Sequence, residues 1–158
     1  MALCPGRDLS WLSMKRLAWL VAVAAMMAIV PPAQAAKAKV VWTEISMPSD
    51  QDRPDLERHL RDVVTRYARR MDWGNHGDEA IEAKIEVTEL SVVATKGVVR
   101  VTCAGHGRLS GGHGGRIARS RFSMGGRPRE KAALERQLIT MLGRGLVTRL
   151  ADMARSAR

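Results

Sequence analysis

The chain has 158 residues, 46% of them hydrophobic, which suits one domain and excludes a long disordered protein. Its two cysteines exclude a small scaffold held by several disulfides. The net charge of +10 lies in the C-terminal half: residues 100–158 carry thirteen Lys or Arg and three Asp or Glu, whereas residues 36–99 have a net charge of −2. This asymmetry predicts an anionic partner or surface.

The N-terminus has the three parts of a secretory signal peptide. The basic pair Lys15-Arg16 precedes an apolar run from Leu17 to Val30, and the small-residue triplet Ala33-Gln34-Ala35 follows. The run has fourteen residues, fewer than the roughly 20 that span a bilayer, so a cleaved leader is favoured over an uncleaved anchor. We therefore predict a signal peptide over 1–35, cleavage before Ala36, and a single exported domain over 36–158.

The start of the chain and its cysteines refine this prediction. Asp8 is unusual in a signal peptide, so we hypothesise that translation starts at Met14. Cys4 precedes the apolar run, so there is no lipobox and lipid anchoring by that route is not predicted. Cys103 is then the only cysteine of the mature chain, and its strand phase indicates a small buried side chain. The alternatives are a catalytic thiol or an intermolecular disulfide.

A strand and a helix begin the exported domain. In residues 40–47 the odd-numbered and the even-numbered positions are both fairly apolar. This is typical of a strand that is covered on one face and partly sheltered on the other. A helix should begin at Pro54, because proline fits the first helical turn, and end near residue 71. Arginines crowd its last turns, where they complement the helix dipole. Its predicted apolar stripe consists of Leu56, Leu60, Val63, Val64, Tyr67 and Met71.

Three strands should follow between Ala80 and Met124, each alternating apolar and polar side chains. Glycine-containing turns at 95–97 and 110–115 join them, because glycine adopts positive φ without steric cost. In the first of these strands the residues that face inward have odd numbers as far as Val87 and even numbers from Leu90 and Val92 onward. A β-bulge near Thr88 would explain this change of phase. The other predicted inward residues are Ile81, Ala83, Ile85, Val87, Val99, Val101, Cys103, Ala118, Ser120, Phe122 and Met124.

A second helix should begin at Pro128 and complete the fold. Gly145 lies near its apolar stripe, where the missing side chain would let the helix approach the sheet closely. The stripe consists of Leu134, Leu138, Met141, Leu142, Leu146, Leu150 and Met153. The order β-α-β-β-β-α predicts an α+β two-layer sandwich, with a four-stranded sheet and two helices on one face. If the first strand pairs parallel to a meander strand, the first helix is a crossover.

This order of elements resembles a group of small envelope proteins. The Ala80–Met124 meander and the Leu134–Met153 stripe, preceded by a signal peptide, a strand and a helix, are similar to three kinds of protein. These are the lipopolysaccharide-assembly lipoproteins of the outer membrane, the penicillin-binding-protein activator lipoproteins, and the N-terminal domain of the Tol–Pal β-propeller protein. The resemblance covers nearly all of the mature chain, without a diagnostic motif or a lipobox. It implies a non-enzymatic accessory that docks onto a larger envelope assembly, and it assigns no functional residue.

Few residues are spaced for catalysis or metal binding. His106 and His113 could meet across a glycine-rich hairpin, but zinc needs three or four ligands and no carboxylate lies between residues 97 and 126. Ser110, His113 and Asp78 do not have the spacing of a catalytic triad. We therefore predict no enzyme activity, no metal site and no cofactor. A small hydrolase or metal protein that uses this hairpin stays open as an alternative function.

The candidate binding site is a set of arginines on the meander. They should point away from the helices, beside Thr102 and His106, and form a cationic face able to bind phosphates or carboxylates. The alternative is that they only solubilise the sheet and pair with Glu82 and Glu86. The residues are Arg100, Arg108, Arg119 and Arg121.

These features predict an exported accessory or adaptor protein of the cell envelope, periplasmic or otherwise outside the cytoplasm, that binds an envelope protein. The alternative is a binder of anionic lipid or lipopolysaccharide through the arginine face, with peripheral membrane contact. Nucleic acid attracts the same charges but lies in another compartment, so we do not expect it as a partner.

Overall fold

The structure is a computed structural model that describes residues 39–50, 52–76, 79–110 and 115–157. No helix in these ranges is long and apolar enough to cross a membrane. The predicted signal peptide, its cleavage site and the centre of the 110–115 turn lie outside the described residues. The elements are β1 (Val40–Ser46), α1 (Pro54–Ala68), β2 (Ile81–Thr95), β3 (Val98–Ser110), β4 (Ile117–Gly126), a 3-10 turn (Pro128–Glu130) and α2 (Lys131–Arg155).

The four strands form one sheet in the order β1-β2-β3-β4. β1 runs parallel to β2, whereas β2, β3 and β4 form an antiparallel meander. Parallel neighbours need a crossover connection, and α1 provides it. α2 packs across β3 and β4 and also against α1, so both helices cover the same apolar face of the sheet. This arrangement confirms the predicted α+β two-layer sandwich.

Two bulges determine which side chains face the helices. In β2, Thr88 is the extra residue that shifts the pairing with β3, so Leu90 returns to the core as predicted. β1 has a second bulge at Thr43. The sequence did not predict it, because both faces of this strand are apolar and a change of phase leaves no signal. Because of it, Trp42 and Ile45 both pack on the core although they are three residues apart.

The far end of the β2–β3 hairpin extends beyond β1 but is paired with β4 as far as Val99. Lys96 and Gly97 form a two-residue turn with φ of 46° and 79°, which is the conformation that suits a tight hairpin. Val92, predicted to face the core, is 37% exposed. The reason is that β1 ends at Ser46, so this part of β2 has no neighbouring strand on that side.

Glycines at the centre of β3 bring α2 close to the sheet. A Cβ at Gly107 would lie 2.8 Å from Cδ1 of Leu150, and one at Gly105 would lie 3.1 Å from Cδ2 of Leu142. Both leucines are fully buried. The bare backbone therefore makes the space that these two side chains fill. Gly145 faces the sheet from the helix side, as predicted.

The helices depart from their predicted limits and stripes in three ways. α2 begins at Lys131 rather than at Pro128, because residues 128–130 form a 3-10 turn. α1 ends at Ala68 rather than near residue 71, because the Trp73 indole N–H donates to the Ala68 carbonyl at 2.9 Å, which a continuing helix would use. In α2, Met141 is 38% exposed, whereas Val147 is fully buried although it lies outside the predicted stripe. α2 contacts both α1 and the sheet, so a wider arc of this helix is buried than one stripe.

One buried hydroxyl gives a first testable prediction. Ser120 is 9% exposed, and its Oγ has no hydrogen-bond partner within the described part of the chain. We expect Ser120→Ala to raise the free energy of unfolding by about 0.5–1 kcal/mol, because it removes a desolvated polar group. The control is Ser123→Ala, since Ser123 Oγ has a partner in Thr102 at 3.1 Å. A lower urea midpoint for Ser120→Ala than for wild type would contradict this expectation.

Candidate functional site

The predicted arginine face lies on the side of the sheet away from the helices, and all four of its arginines are exposed. The β3–β4 register places His106 opposite Arg119, and the neighbouring residue of β4 on this face is Arg121. We call these three residues the central cluster. Arg108 is the next outward residue of β3 after His106, whereas Arg100 lies six residues from His106 on the other side, about 20 Å by the strand rise; we call these two the flanking arginines.

A shallow depression of about 480 Å³ lies at the central cluster. It forms because Ala104, opposite Arg121, has a short side chain among larger polar neighbours. The bulge residue Thr88 lines its β2 side. The sequence pattern placed the arginines correctly but did not predict this depression. A small residue at an outward position of β3 was the only available signal.

Acidic side chains of β2 neutralise part of this face. Arg121 Nη2 lies 3.2 Å from Glu89 Oε1, so this arginine pairs with a different carboxylate from the two that the sequence offered. His106 Nε2 lies 3.7 Å from Glu86 Oε2, which also approaches Lys84 Nζ at 3.4 Å. Positive and negative side chains are therefore both present along the β2 side of this face.

Positive charge remains uncompensated along β3 and β4. Arg100, Arg108 and Arg119 have no acidic partner within 4 Å among the residues that the structure describes. Glu44 is not available to them, because its carboxylate lies 2.7 Å from Lys84. The hydrogen bond from Lys84 holds the pKa of Glu44 below its ordinary value, and the same bond raises the pKa of Lys84.

The other candidate residues lie only partly within the described ranges. No group of three His, Cys, Asp or Glu in the described ranges could hold a metal ion. His113 and Asp78 lie outside those ranges, so the hairpin alternatives stay untested. His59, on the polar side of α1, contacts Thr140 Oγ1 at 2.9 Å. Cys103 is a free, buried thiol, and burial raises its pKa to about 12, which favours the protonated thiol at neutral pH.

Comparison with known proteins gives distant likenesses. No protein-family profile matches the chain, and no curated protein sequence matches it. A "putative lipoprotein" from Caulobacter crescentus CB15 is similar over 73% of this chain and 87% of its own, with 11% identity and a TM-score of 0.44. The PelC dodecamer from Paraburkholderia phytofirmans is similar over 73% of this chain and 91% of its own, with 16% identity and a TM-score of 0.44. The resemblance to the envelope protein groups named above stays a prediction, because likenesses this distant carry no functional argument.

Proposed function

We propose that this chain is an exported, non-enzymatic accessory protein of the cell envelope that docks onto an anionic protein partner through the central cluster and its flanking arginines. The observation that carries the proposal is the uncompensated charge of Arg119 at the depression, together with that of Arg108 and Arg100 further along the same sheet face. A guanidinium group can bind a carboxylate through two parallel hydrogen bonds, and the strands fix the spacing of the backbone positions from which these arginines project.

The charge pattern favours a protein partner over a lipid surface. Glu86 and Glu89 lie on the same face as the arginines and would repel a uniformly anionic bilayer. A protein surface can place its own basic groups opposite these two carboxylates and its acidic groups opposite the arginines. The membrane alternative would use only the arginines and would leave both carboxylates facing like charge.

Charge reversal on β4 tests the proposal. We expect Arg119→Glu with Arg121→Glu to reduce capture of the partner at least about tenfold, because it turns the centre of the face acidic. The measurement is crosslinked affinity purification of the tagged protein from its native envelope, with the partner quantified by mass spectrometry. Wild-type capture should also weaken as the salt concentration rises.

One control variant with two substitutions distinguishes this result from a general effect of net charge. Arg129→Glu with Arg136→Glu makes the same change in net charge at exposed positions outside the sheet face, and it should leave capture unchanged. Equal capture by the β4 variant and wild type would overturn the proposal. Recovery of anionic lipid or lipopolysaccharide without a stoichiometric protein would instead support the lipid alternative.

A further inference from the structure

A second recess lies between β1 and the C-terminal half of α1, away from the arginine face. It has a volume of about 350 Å³. Its apolar lining includes Trp42, Met71 and Trp73. Thr65 of α1 and Arg69, the residue that follows this helix, form the other wall. Trp42 and Met71 are only partly buried, so apolar surface is accessible in this recess. We call it the tryptophan groove.

The floor of the tryptophan groove is held in place by the fold. Trp73 is 4% exposed, and its indole N–H donates to the Ala68 carbonyl at 2.9 Å. The Trp42 ring meets it edge to face, with ring centroids 6.1 Å apart and an interplanar angle of 76°. A groove with an ordered aromatic floor binds an apolar side chain without reorganising first.

The groove continues into a cationic surface on α1. A recess of about 710 Å³ shares Thr65 and Arg69 with it, and its lining includes four arginines and one acidic residue, Asp62. Arg66, Arg69 and Arg70 have no acidic partner within 4 Å in the part of the chain that the structure describes. These arginines also complement the dipole at the C-terminus of α1, but the dipole does not account for the open apolar groove beside them.

The two edges of the sheet differ in how they are covered. At the β4 edge, the Arg149 guanidinium of α2 donates to the backbone carbonyl of Arg119. β1 is the other edge strand, and no described strand or side chain donates to its outer backbone in this way. An edge strand with unpaired backbone groups can accept an additional strand.

We infer that the tryptophan groove and the β1 edge bind an extended acidic segment of a second protein. An aromatic or large aliphatic side chain of that segment enters the groove, its backbone pairs along β1, and its carboxylates contact Arg66, Arg69 and Arg70. An anionic lipid could satisfy the groove and the arginines, but it would leave the strand edge unpaired. The protein would then carry two separate docking surfaces, and the second does not depend on the first.

The test uses a fluorescein-labelled peptide, Asp-Glu-Val-Phe-Val-Glu-Asp, and the purified protein at about 0.15 M salt. We expect saturable binding by fluorescence anisotropy and a change in tryptophan emission from the groove. Arg66→Glu with Arg69→Glu should weaken binding at least about tenfold, because it reverses the charge that faces the carboxylates. Thr65→Trp should weaken it similarly by filling the groove while every arginine stays in place.

Peptide and protein controls make each contact separately testable. A peptide with Ser in place of Phe, one with Lys in place of the acids, and one with alternate backbone amides methylated should each bind more weakly. Arg58→Glu with Arg136→Glu makes the same change in net charge at exposed helix positions and should leave binding unchanged. Arg119→Glu with Arg121→Glu should also leave it unchanged, so failure here is distinguishable from failure of the proposed function.

Several results would overturn the inference. One is the absence of saturable binding by the acidic peptide, and another is an equal loss in the Arg58 and Arg136 control variant. Binding to phosphatidylglycerol vesicles that depends on Arg66 and Arg69, without peptide binding, would assign the groove to lipid. A dimer that forms without peptide and is abolished by Thr65→Trp would assign the β1 edge to self-association.

Discussion

Gly105→Ala is expected to lower the free energy of unfolding by about 3 kcal/mol. The new Cβ would lie 2.7 Å from the carbonyl oxygen of Glu86 and 3.1 Å from Cδ2 of Leu142. The carbonyl belongs to the adjacent strand, so relief requires the β2–β3 pairing itself to move. Urea unfolding followed by circular dichroism measures the change as a shift of the midpoint.

Two other glycines of the sheet provide graded controls for Gly105→Ala. A Cβ at Gly107 would lie 2.8 Å from Cδ1 of Leu150, and a buried side chain can shift at a lower cost than the backbone carbonyl at Gly105, so we expect a loss of about 1 kcal/mol. A Cβ at Gly125 would have its nearest neighbour at 3.8 Å, so Gly125→Ala should be close to neutral. Equal midpoints for the three variants would show that crowding against the Glu86 carbonyl at Gly105 does not destabilise the β2–β3 pairing.

The period-two alternation was sufficient to predict the meander, because a strand with one buried face repeats apolar residues at every second position. It failed where no apolar side chain carries the signal. Gly105 and Gly107 face the core, yet in the sequence they resemble turn residues. The bulge at Thr43 was hidden because β1 is apolar on both sets, whereas the bulge at Thr88 was visible as a change of phase.

The candidate surfaces depended on long-range pairing to different degrees. The exposure of the arginines followed from strand phase alone. The position of Arg119 beside His106 and of Ala104 opposite Arg121 followed from the β3–β4 register, which no local pattern specifies. The tryptophan groove joins Trp42 to a residue that lies beyond α1 in the chain, so a sequence-based interpretation had no means to connect the two walls.

Arg53→Ala is expected to lower the free energy of unfolding by about 2 kcal/mol at neutral pH. Glu135 is 2% exposed, and its carboxylate lies 3.0 Å from Arg53 Nη2. Hydrogen bonds to Glu135 and then to Asp55 raise the pKa of Arg53, which is therefore charged at any physiological pH. Removing one partner of a buried pair costs about 3–5 kcal/mol, and the value is smaller here because Arg53 is itself one third exposed.

The control for this prediction is Arg61→Ala. It removes an exposed ion pair with Glu57 at 2.9 Å, and exposed pairs contribute about 0.5 kcal/mol or less. The difference between the urea midpoints of the two alanine variants therefore shows how much more an ion pair with a buried carboxylate contributes than an exposed ion pair. Similar losses in both would indicate that burial of Glu135 adds nothing to the cost of losing Arg53.

Combining Arg53→Ala with Glu135→Gln should recover about half of the lost stability. The large cost of Arg53→Ala comes from a carboxylate left in a buried position, where Lys131 Nζ at 3.9 Å is the nearest remaining cation among the described residues. A neutral amide at position 135 removes that charge, so the two substitutions should be non-additive by about 1 kcal/mol or more in a double-mutant cycle. Strict additivity would mean that the two side chains stabilise the fold independently. The link between the segment before α1 and the start of α2 would then depend on apolar packing alone.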